Sequence, residues 1–176
     1  MKKFFITGAA GFIGSHVCEH IAEKFPNSKI IALDKLTYAG NKSFLKNISK
    51  KNLKFIKSDI LNSKKYRKYL KNIDCAINIA AESHVDNSFR NSVEFTKTNT
   101  LGAHIFLENC INRKVKKIIH ISTDEVYGDK LKGKSYEGDS LDPTNPYSAS
   151  KAAAEIITNS YKYVFKKDII IIRANN

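Results

Sequence analysis

The stretch Lys3-Phe4-Phe5-Ile6-Thr7-Gly8-Ala9-Ala10-Gly11-Phe12-Ile13-Gly14 decides the fold. A short apolar run of strand type leads straight into three glycines at GxxGxxG spacing, and residues 13–24 continue at helical period. Each glycine meets a physical demand: a tight turn, a side-chain-free approach to a phosphate, and close packing of helix on strand. The helix N-terminus then offers free amides and the positive end of a dipole to an anion. A glycine triplet alone is weak, since a tight strand-to-helix turn needs one too. Here, however, Asp34 ends the next strand-like run at the distance of a dinucleotide fingerprint, where a carboxylate accepts both hydroxyls of an adenosine ribose. The expectation is a nicotinamide-dinucleotide site taking NAD ahead of NADP. Lys35, next to Asp34, is the residue that would greet a 2′-phosphate.

Outward from that turn, short apolar runs alternate with longer segments of helical period. Residues 2–6, 29–33, 53–56, 75–79, 117–121 and 169–172 read as strands, and most are continuously apolar, as when helices cover both faces of a parallel sheet. Residues 13–24, 64–70, 92–113 and 146–165 read as helices, with a weaker one near 42–48. Strict alternation predicts a doubly wound α/β sheet of Rossmann type, with residues 1–176 as a single domain. The longest irregular stretch, 122–145, carries Gly128, Gly133, Gly138 and Pro143, and a loop of that length in a compact domain is often functional.

Composition removes several classes. No apolar run approaches the about 20 residues of a membrane-spanning helix. Met1-Lys2-Lys3 before Phe4-Phe5-Ile6 imitates a secretory signal, but the glycine-spaced turn explains that stretch better. Three cysteines, Cys18, Cys75 and Cys110, lie among apolar neighbours without metal-like spacing, which predicts reduced core thiols, no metal and a cytoplasmic setting. The net charge of +13 is mostly scattered lysine, densest in Lys64-Lys65-Tyr66-Arg67-Lys68-Tyr69-Leu70-Lys71. That stretch reads as a solvated helix face with Tyr66 and Leu70 turned inward, not as a nucleic-acid patch. A basic field still attracts an anionic substrate.

The chemistry sits further on. Tyr147 and Lys151, in Tyr147-Ser148-Ala149-Ser150-Lys151, stand four residues apart and share a helix face. A phenol ionises near about pH 10, so it is no base at neutral pH unless positive charge favours the phenolate. A neighbouring ammonium and an oxidised nicotinamide supply such charge. The implied task is removal of a proton from a substrate hydroxyl while its carbon gives hydride to NAD⁺.

Taken together, GxxGxxG, Asp34 and YxxxK resemble the extended short-chain dehydrogenase/reductase superfamily. Within it, Ser122-Thr123-Asp124-Glu125-Val126-Tyr127-Gly128 looks like the dTDP-glucose 4,6-dehydratases, because epimerases, sugar-nucleotide decarboxylases and GDP-mannose dehydratases lack that Asp-Glu pair. Residues 34–41 and 80–86 point the same way. The resemblance implies a cofactor site of Gly8, Gly11, Phe12, Ile13, Gly14, Asp34, Lys35, Leu36, Thr37, Asp59, Ile60, Ala80, Ala81, Ser83, Thr98, Tyr147 and Lys151. It also implies Ser83, Asp86, Thr123 and Asn176 as substrate contacts. Asp59 has a second reading as a helix cap. His84 is better read as a structural, hydrogen-bonding histidine. Asn87 departs from the family, which looks like arginine there.

The resemblance further implies roles. Oxidation at C4 of a hexose acidifies the C5 hydrogen; Glu125 would then take that proton, Asp124 would protonate the departing C6 oxygen, and Thr123 would hold the C4 oxygen beside Tyr147. Two adjacent carboxyls disfavour double ionisation, so one can stay protonated. The family would continue beyond residue 176 into a second, substrate-binding portion. It pairs as a homodimer through helices that correspond to 92–113 and 146–165. A related epimerase or decarboxylase, and a non-catalytic NAD-binding module, stay open as alternatives.

Overall fold

A computed structural model describes residues 1–130 and 132–175. Six strands occur among them: β1 (Lys3–Thr7), β2 (Lys29–Asp34), β3 (Leu53–Lys57), β4 (Cys75–Asn78), β5 (Lys117–Thr123) and β6 (Asp168–Ala174). All pair in parallel in one sheet of order β3-β2-β1-β4-β5-β6. The chain runs outward from β1 to β3, returns, and sets β4 on the other side of β1. That reversal opens a crevice at the carboxyl ends of β1 and β4, where ligands of such sheets bind.

Side chains of a strand alternate between faces, and here the two faces bury separate cores. Phe5 and Ala76 pack with Tyr66, Leu70, Phe106, Leu107, Ile118 and Ile169 on one side. Phe4, Ile6 and Ile77 pack with Cys18, Ile21, Leu45 and Ile48 on the other. Helices α1 (Phe12–Lys24), α2 (Ser63–Tyr66), α3 (Val85–Arg90), α4 (Ser92–Phe95), α5 (Ala103–Asn112) and α6 (Pro146–Phe165) supply the cover. Tyr66 and Leu70 are fully buried while Lys64, Lys65, Lys68 and Lys71 stay exposed, so the lysine-rich stretch is a solvated face. Cys18 and Cys110 are buried and Cys75 half-buried, all three as free thiols. Among the described residues, no helix is long and apolar enough to cross a membrane, and no cluster of His, Cys, Asp or Glu is placed to hold a metal.

The segment read as one helix over 92–113 is instead α4 and α5 joined by a π-helical stretch, Thr96–Gly102. Hydrogen bonds to distant parts of the chain accompany the wider turn. The buried Asn99 amide donates to the Glu82 carbonyl (3.0 Å) and Ser150 Oγ (2.9 Å), and its Oδ1 accepts from the Glu82 N–H (2.7 Å). Thr100 Oγ1 donates to the Ser150 carbonyl at 2.9 Å. These contacts tie the stretch to α6 and to the loop after β4. The predicted helix near 42–48 is a single 3₁₀ turn, Lys42–Leu45, and 64–70 is α2 followed by a 3₁₀ turn, Arg67–Leu70. Two short elements within predicted loops are α3 and the 3₁₀ turn Asp124–Tyr127.

Candidate active site

A cleft of about 610 Å³ opens where the strand order reverses. At its phosphate end, Gly11 precedes α1, which has no capping side chain and no acid in its first turn. The first helical amides are therefore left for an anion. Glycine is required by space here: a Cβ on Gly14 would lie 2.0 Å from the Gly8 carbonyl oxygen, and one on Gly8 2.7 Å from the Ala80 nitrogen. Gly8 also holds φ +64°, which side chains rarely adopt. The Thr7 hydroxyl fixes the neighbouring strand, accepting the Ile79 and Ala80 N–H groups at 3.1 Å each.

Asp34 ends β2 in the cleft, its Oδ2 accepting the Ala10 N–H (2.9 Å) and its Oδ1 the Leu36 N–H (2.7 Å). Each carboxylate oxygen keeps a second lone pair for a hydroxyl. Lys35 is already paired, Nζ to Asp59 Oδ2 at 2.8 Å. Asp59 lines the cleft while its Oδ1 takes the Leu61 N–H; the residue at the start of α2 is Asn62, whose side chain makes no capping bond. Of the residues predicted for the cofactor, Gly8, Gly11, Phe12, Ile13, Gly14, Asp34, Lys35, Thr37, Asp59, Ile60, Ala80, Ala81, Ser83, Thr98, Tyr147 and Lys151 all line this one cleft. Leu36 does not; at φ +59° it packs, half-buried, against the core on the Phe4 and Ile6 face of the sheet.

The other end of the cleft holds Ser122, Thr123, Glu125, Tyr147 and Lys151. β5 delivers Thr123, whose Oγ1 accepts the Glu125 N–H and donates to Asp124 Oδ1, both at 3.3 Å, and so starts the Asp124–Tyr127 turn. α6 delivers Tyr147 and Lys151. Its start is fixed by Pro146 and by a reciprocal cap in which Asn145 Oδ1 accepts the Ser148 N–H at 2.8 Å. The Lys151 ammonium is buried and donates to the Ile121 carbonyl at 2.6 Å. Burial lowers its pKa to about 8, with Glu155 opposing. Burial likewise pushes the Tyr147 phenol above its usual range; the facing Thr123 hydroxyl pulls it down, and Glu125 and Asp124 push it up. The Lys151 ammonium is turned to the Ile121 carbonyl, and the predicted activation of the phenol joined that ammonium to a second positive charge, that of an oxidised nicotinamide. Burial and the two acids thus work against the phenolate, and positive charge brought by a bound cofactor would work for it.

Other predicted residues lie elsewhere. Asp124 turns to Thr123 and Asp86 is exposed on α3; neither lines the cleft. Asn176 lies outside the described residues. His84 lines the cleft at φ +74° with its ring 6.1 Å from that of Tyr38, and it makes no side-chain hydrogen bond among the described residues, contrary to its reading as a hydrogen-bonding histidine. Tyr38 Oη donates to the Ser83 carbonyl at 3.2 Å. Sequence reasoning did not single out Asn145, whose Nδ2 reaches Glu125 Oε2 at 3.2 Å, nor Arg173. The Arg173 guanidinium meets the fully buried Glu155 carboxylate with two nitrogens at 2.8–3.2 Å and also donates to Tyr127 Oη and the Glu137 carbonyl. The Pro146 that opens α6 was the available signal for the first.

Comparison with known proteins places this geometry. The chain is 48% identical over its whole length to the dTDP-D-glucose 4,6-dehydratase of Dictyostelium discoideum, of which it spans 44%. In solved structures it overlays on the dTDP-glucose 4,6-dehydratase DesIV of Streptomyces venezuelae, determined with NAD bound, with TM-score 0.92 and 37% identity; 97% of this chain and 55% of that one are covered. It overlays with TM-score 0.90 and 28% identity on a UDP-N-acetylglucosamine 4-epimerase of Methanobrevibacter ruminantium, covering 98% of this chain and 54% of that one. The chain thus spans about half the length of these relatives. Residues 5–176 match the sequence family described as GDP-mannose 4,6 dehydratase, and the chain belongs to that family.

Proposed function

We propose that this chain is the NAD-binding, catalytic portion of a sugar-nucleotide 4,6-dehydratase acting on dTDP-glucose. One observation carries the reading: the turn bearing Asp124 and Glu125 leaves β5 at the same end of the cleft as Tyr147 and Lys151. The cofactor fits the residues present. The uncapped α1 N-terminus suits a pyrophosphate, Asp34 suits ribose hydroxyls, and Lys35, neutralised by Asp59, offers little to a 2′-phosphate. Bound NAD⁺ would supply the positive ring and the hydride acceptor that the phenol lacks.

The chain's own residues then divide the work. Tyr147 takes the proton of the C4 hydroxyl, with Lys151 behind it and Thr123 on the C4 oxygen. Glu125 removes the C5 proton, the C5–H electron pair forms the C5–C6 double bond, and the C6 oxygen leaves as water with a proton from Asp124. With bound NAD⁺, the hydride lost from C4 would be given back at C6 with a proton to C5, leaving the 4-keto-6-deoxy sugar and the cofactor unconsumed. A homodimer through the segments 92–113 and 146–165 is supported by the exposed apolar side chains Val93, Leu101 and Ile156 on them. A cytoplasmic setting accords with three unpaired cysteines.

A second reading has an observation of its own. Asp124 does not line the cleft, which favours an epimerase-like reaction using Tyr147 and Lys151 without the acid pair. Incubation with NAD⁺ and dTDP-glucose separates the two. The dehydratase reading expects a 4-keto-6-deoxy product, lost on Tyr147→Phe and reduced about 10²- to 10⁴-fold in kcat by Asp124→Asn or Glu125→Gln. Full turnover by Asp124→Asn, with an epimerised sugar as product, would replace it with the second reading.

A further inference from the structure

Asn145 is placed to do two things with one amide. Its Oδ1 accepts the Ser148 N–H at 2.8 Å and so caps α6, the helix that carries Tyr147 and Lys151. Its Nδ2 donates to Glu125 Oε2 at 3.2 Å, twenty residues back in sequence and on the turn after β5. The cap is complete without the second bond, because Ser148 Oγ accepts the Asn145 N–H at 3.3 Å and closes the box. A serine, threonine or aspartate would cap as well. What asparagine adds is a donor on the far side of the same planar group. Glu125 is half-buried, and this is the side-chain donor its carboxylate meets among the described residues.

We propose that Asn145 is the positioning residue for Glu125, setting the carboxylate in register with Tyr147, two residues further along the helix that Asn145 itself caps. The rigid link runs from the Ser148 N–H through the amide to Glu125 Oε2. Any shift of the α6 start moves phenol and carboxylate together. The inference rests on the dehydratase reading for the chemical role of Glu125; the contact itself does not.

The experiment separates cap from donor. Asn145→Ser retains the cap and loses the donor, Asn145→Asp retains the cap and sets a carboxylate against Glu125, and Asn145→Ala loses both. With NAD⁺ and dTDP-glucose, C4 oxidation depends on Tyr147 and Lys151, whereas elimination depends on Glu125. Asn145→Ser is therefore expected to keep the wild-type melting temperature, NAD affinity and KM. Its kcat should fall about tenfold or more, with reduced cofactor building up at 340 nm in a single turnover because elimination lags oxidation. Asn145→Asp should lose more, and Asn145→Ala should also melt lower. Wild-type kcat in Asn145→Ser would overturn the proposal. A second measurement needs no turnover: the Asn145 side-chain amide resonances should move with acid titration in the wild type and cease to do so in Glu125→Gln. Amide resonances indifferent to that substitution would overturn the contact. A wild-type chain that makes no reduced cofactor from dTDP-glucose would sink the dehydratase reading instead, leaving the amide resonances to judge the link.

Discussion

At the scale of single residues, His120 shows how a buried polar group is tied to the sheet and what that costs in acid. Thr7 Oγ1 donates to Asn78 Oδ1 at 2.6 Å, so the Asn78 amide nitrogen is free to donate to His120 Nδ1 at 3.2 Å. This assigns the ring proton to Nε2, which finds no partner among the described residues. Burial, reinforced by Lys151, lowers the His120 pKa from 6.5 to about 3. The folded value lies below the unfolded one, so between these two pH values the unfolded chain binds more protons. Stability is therefore full above pH about 6.5 and falls as pH drops through that window. The full span corresponds to about 5 kcal/mol at most. Urea unfolding at pH 7 and pH 4.5 should show His120→Asn losing markedly less stability on acidification than the wild type. An equal loss in both would place the acid sensitivity elsewhere.

Among elements, Arg173 at the end of β6 joins α6, the Asp124–Tyr127 turn and the loop that follows it, through Glu155, Tyr127 and the Glu137 carbonyl. Glu155 has no exposed surface, so removing Arg173 leaves a buried carboxylate without its hydrogen-bonded partner. Arg173→Met should cost about 3–5 kcal/mol in urea unfolding, and adding Glu155→Leu should restore most of it. By contrast, both partners of the Lys117–Asp168 pair are about half exposed, and breaking it should cost under about 1 kcal/mol. The same contrast explains what was legible. Strands announced themselves by apolar runs, and the six predicted ones match β1–β6 to within two residues at either end. α6 was readable at both ends, since Pro146 marks its start and the apolar period its length. The π stretch at Thr96–Gly102 was not, because Asn99 meets partners at Glu82 and Ser150 that only the fold brings near. Site residues in contiguous motifs, such as Gly8, Gly14, Thr123 and Tyr147, could be read in order. Asn145 and Arg173 act on residues 18 to 46 positions away, and no local pattern marks that pairing.

At the scale of the whole sheet, the two edge strands among the described residues differ in charge. β3, at one edge, reads Leu53-Lys54-Phe55-Ile56-Lys57, with both lysines exposed. Edge lysines oppose pairing with another chain, because a second strand would have to bury their charge. β6, at the other edge, reads Asp168-Ile169-Ile170-Ile171-Ile172-Arg173-Ala174 and has no charge for four residues. Ile169 packs in the core with Ile157 and Tyr161 of α6, but on the opposite face Ile170 and Ile172 stay 40% and 43% exposed. A β-rich, uncharged run at the edge of the sheet among the described residues is a template for a further strand, whether of the same chain or of another copy. The net charge of +13 acts against it by keeping copies apart, and salt weakens that protection as the screening length shrinks to about 10 Å at 0.1 M. Light scattering on warming should accordingly rise with salt. Ile170→Lys with Ile172→Lys should suppress that rise, whereas Lys54→Ile with Lys57→Ile should create a second association-prone edge and steepen it. Salt-dependent scattering that is unchanged by the β6 substitutions would show that association runs through another surface.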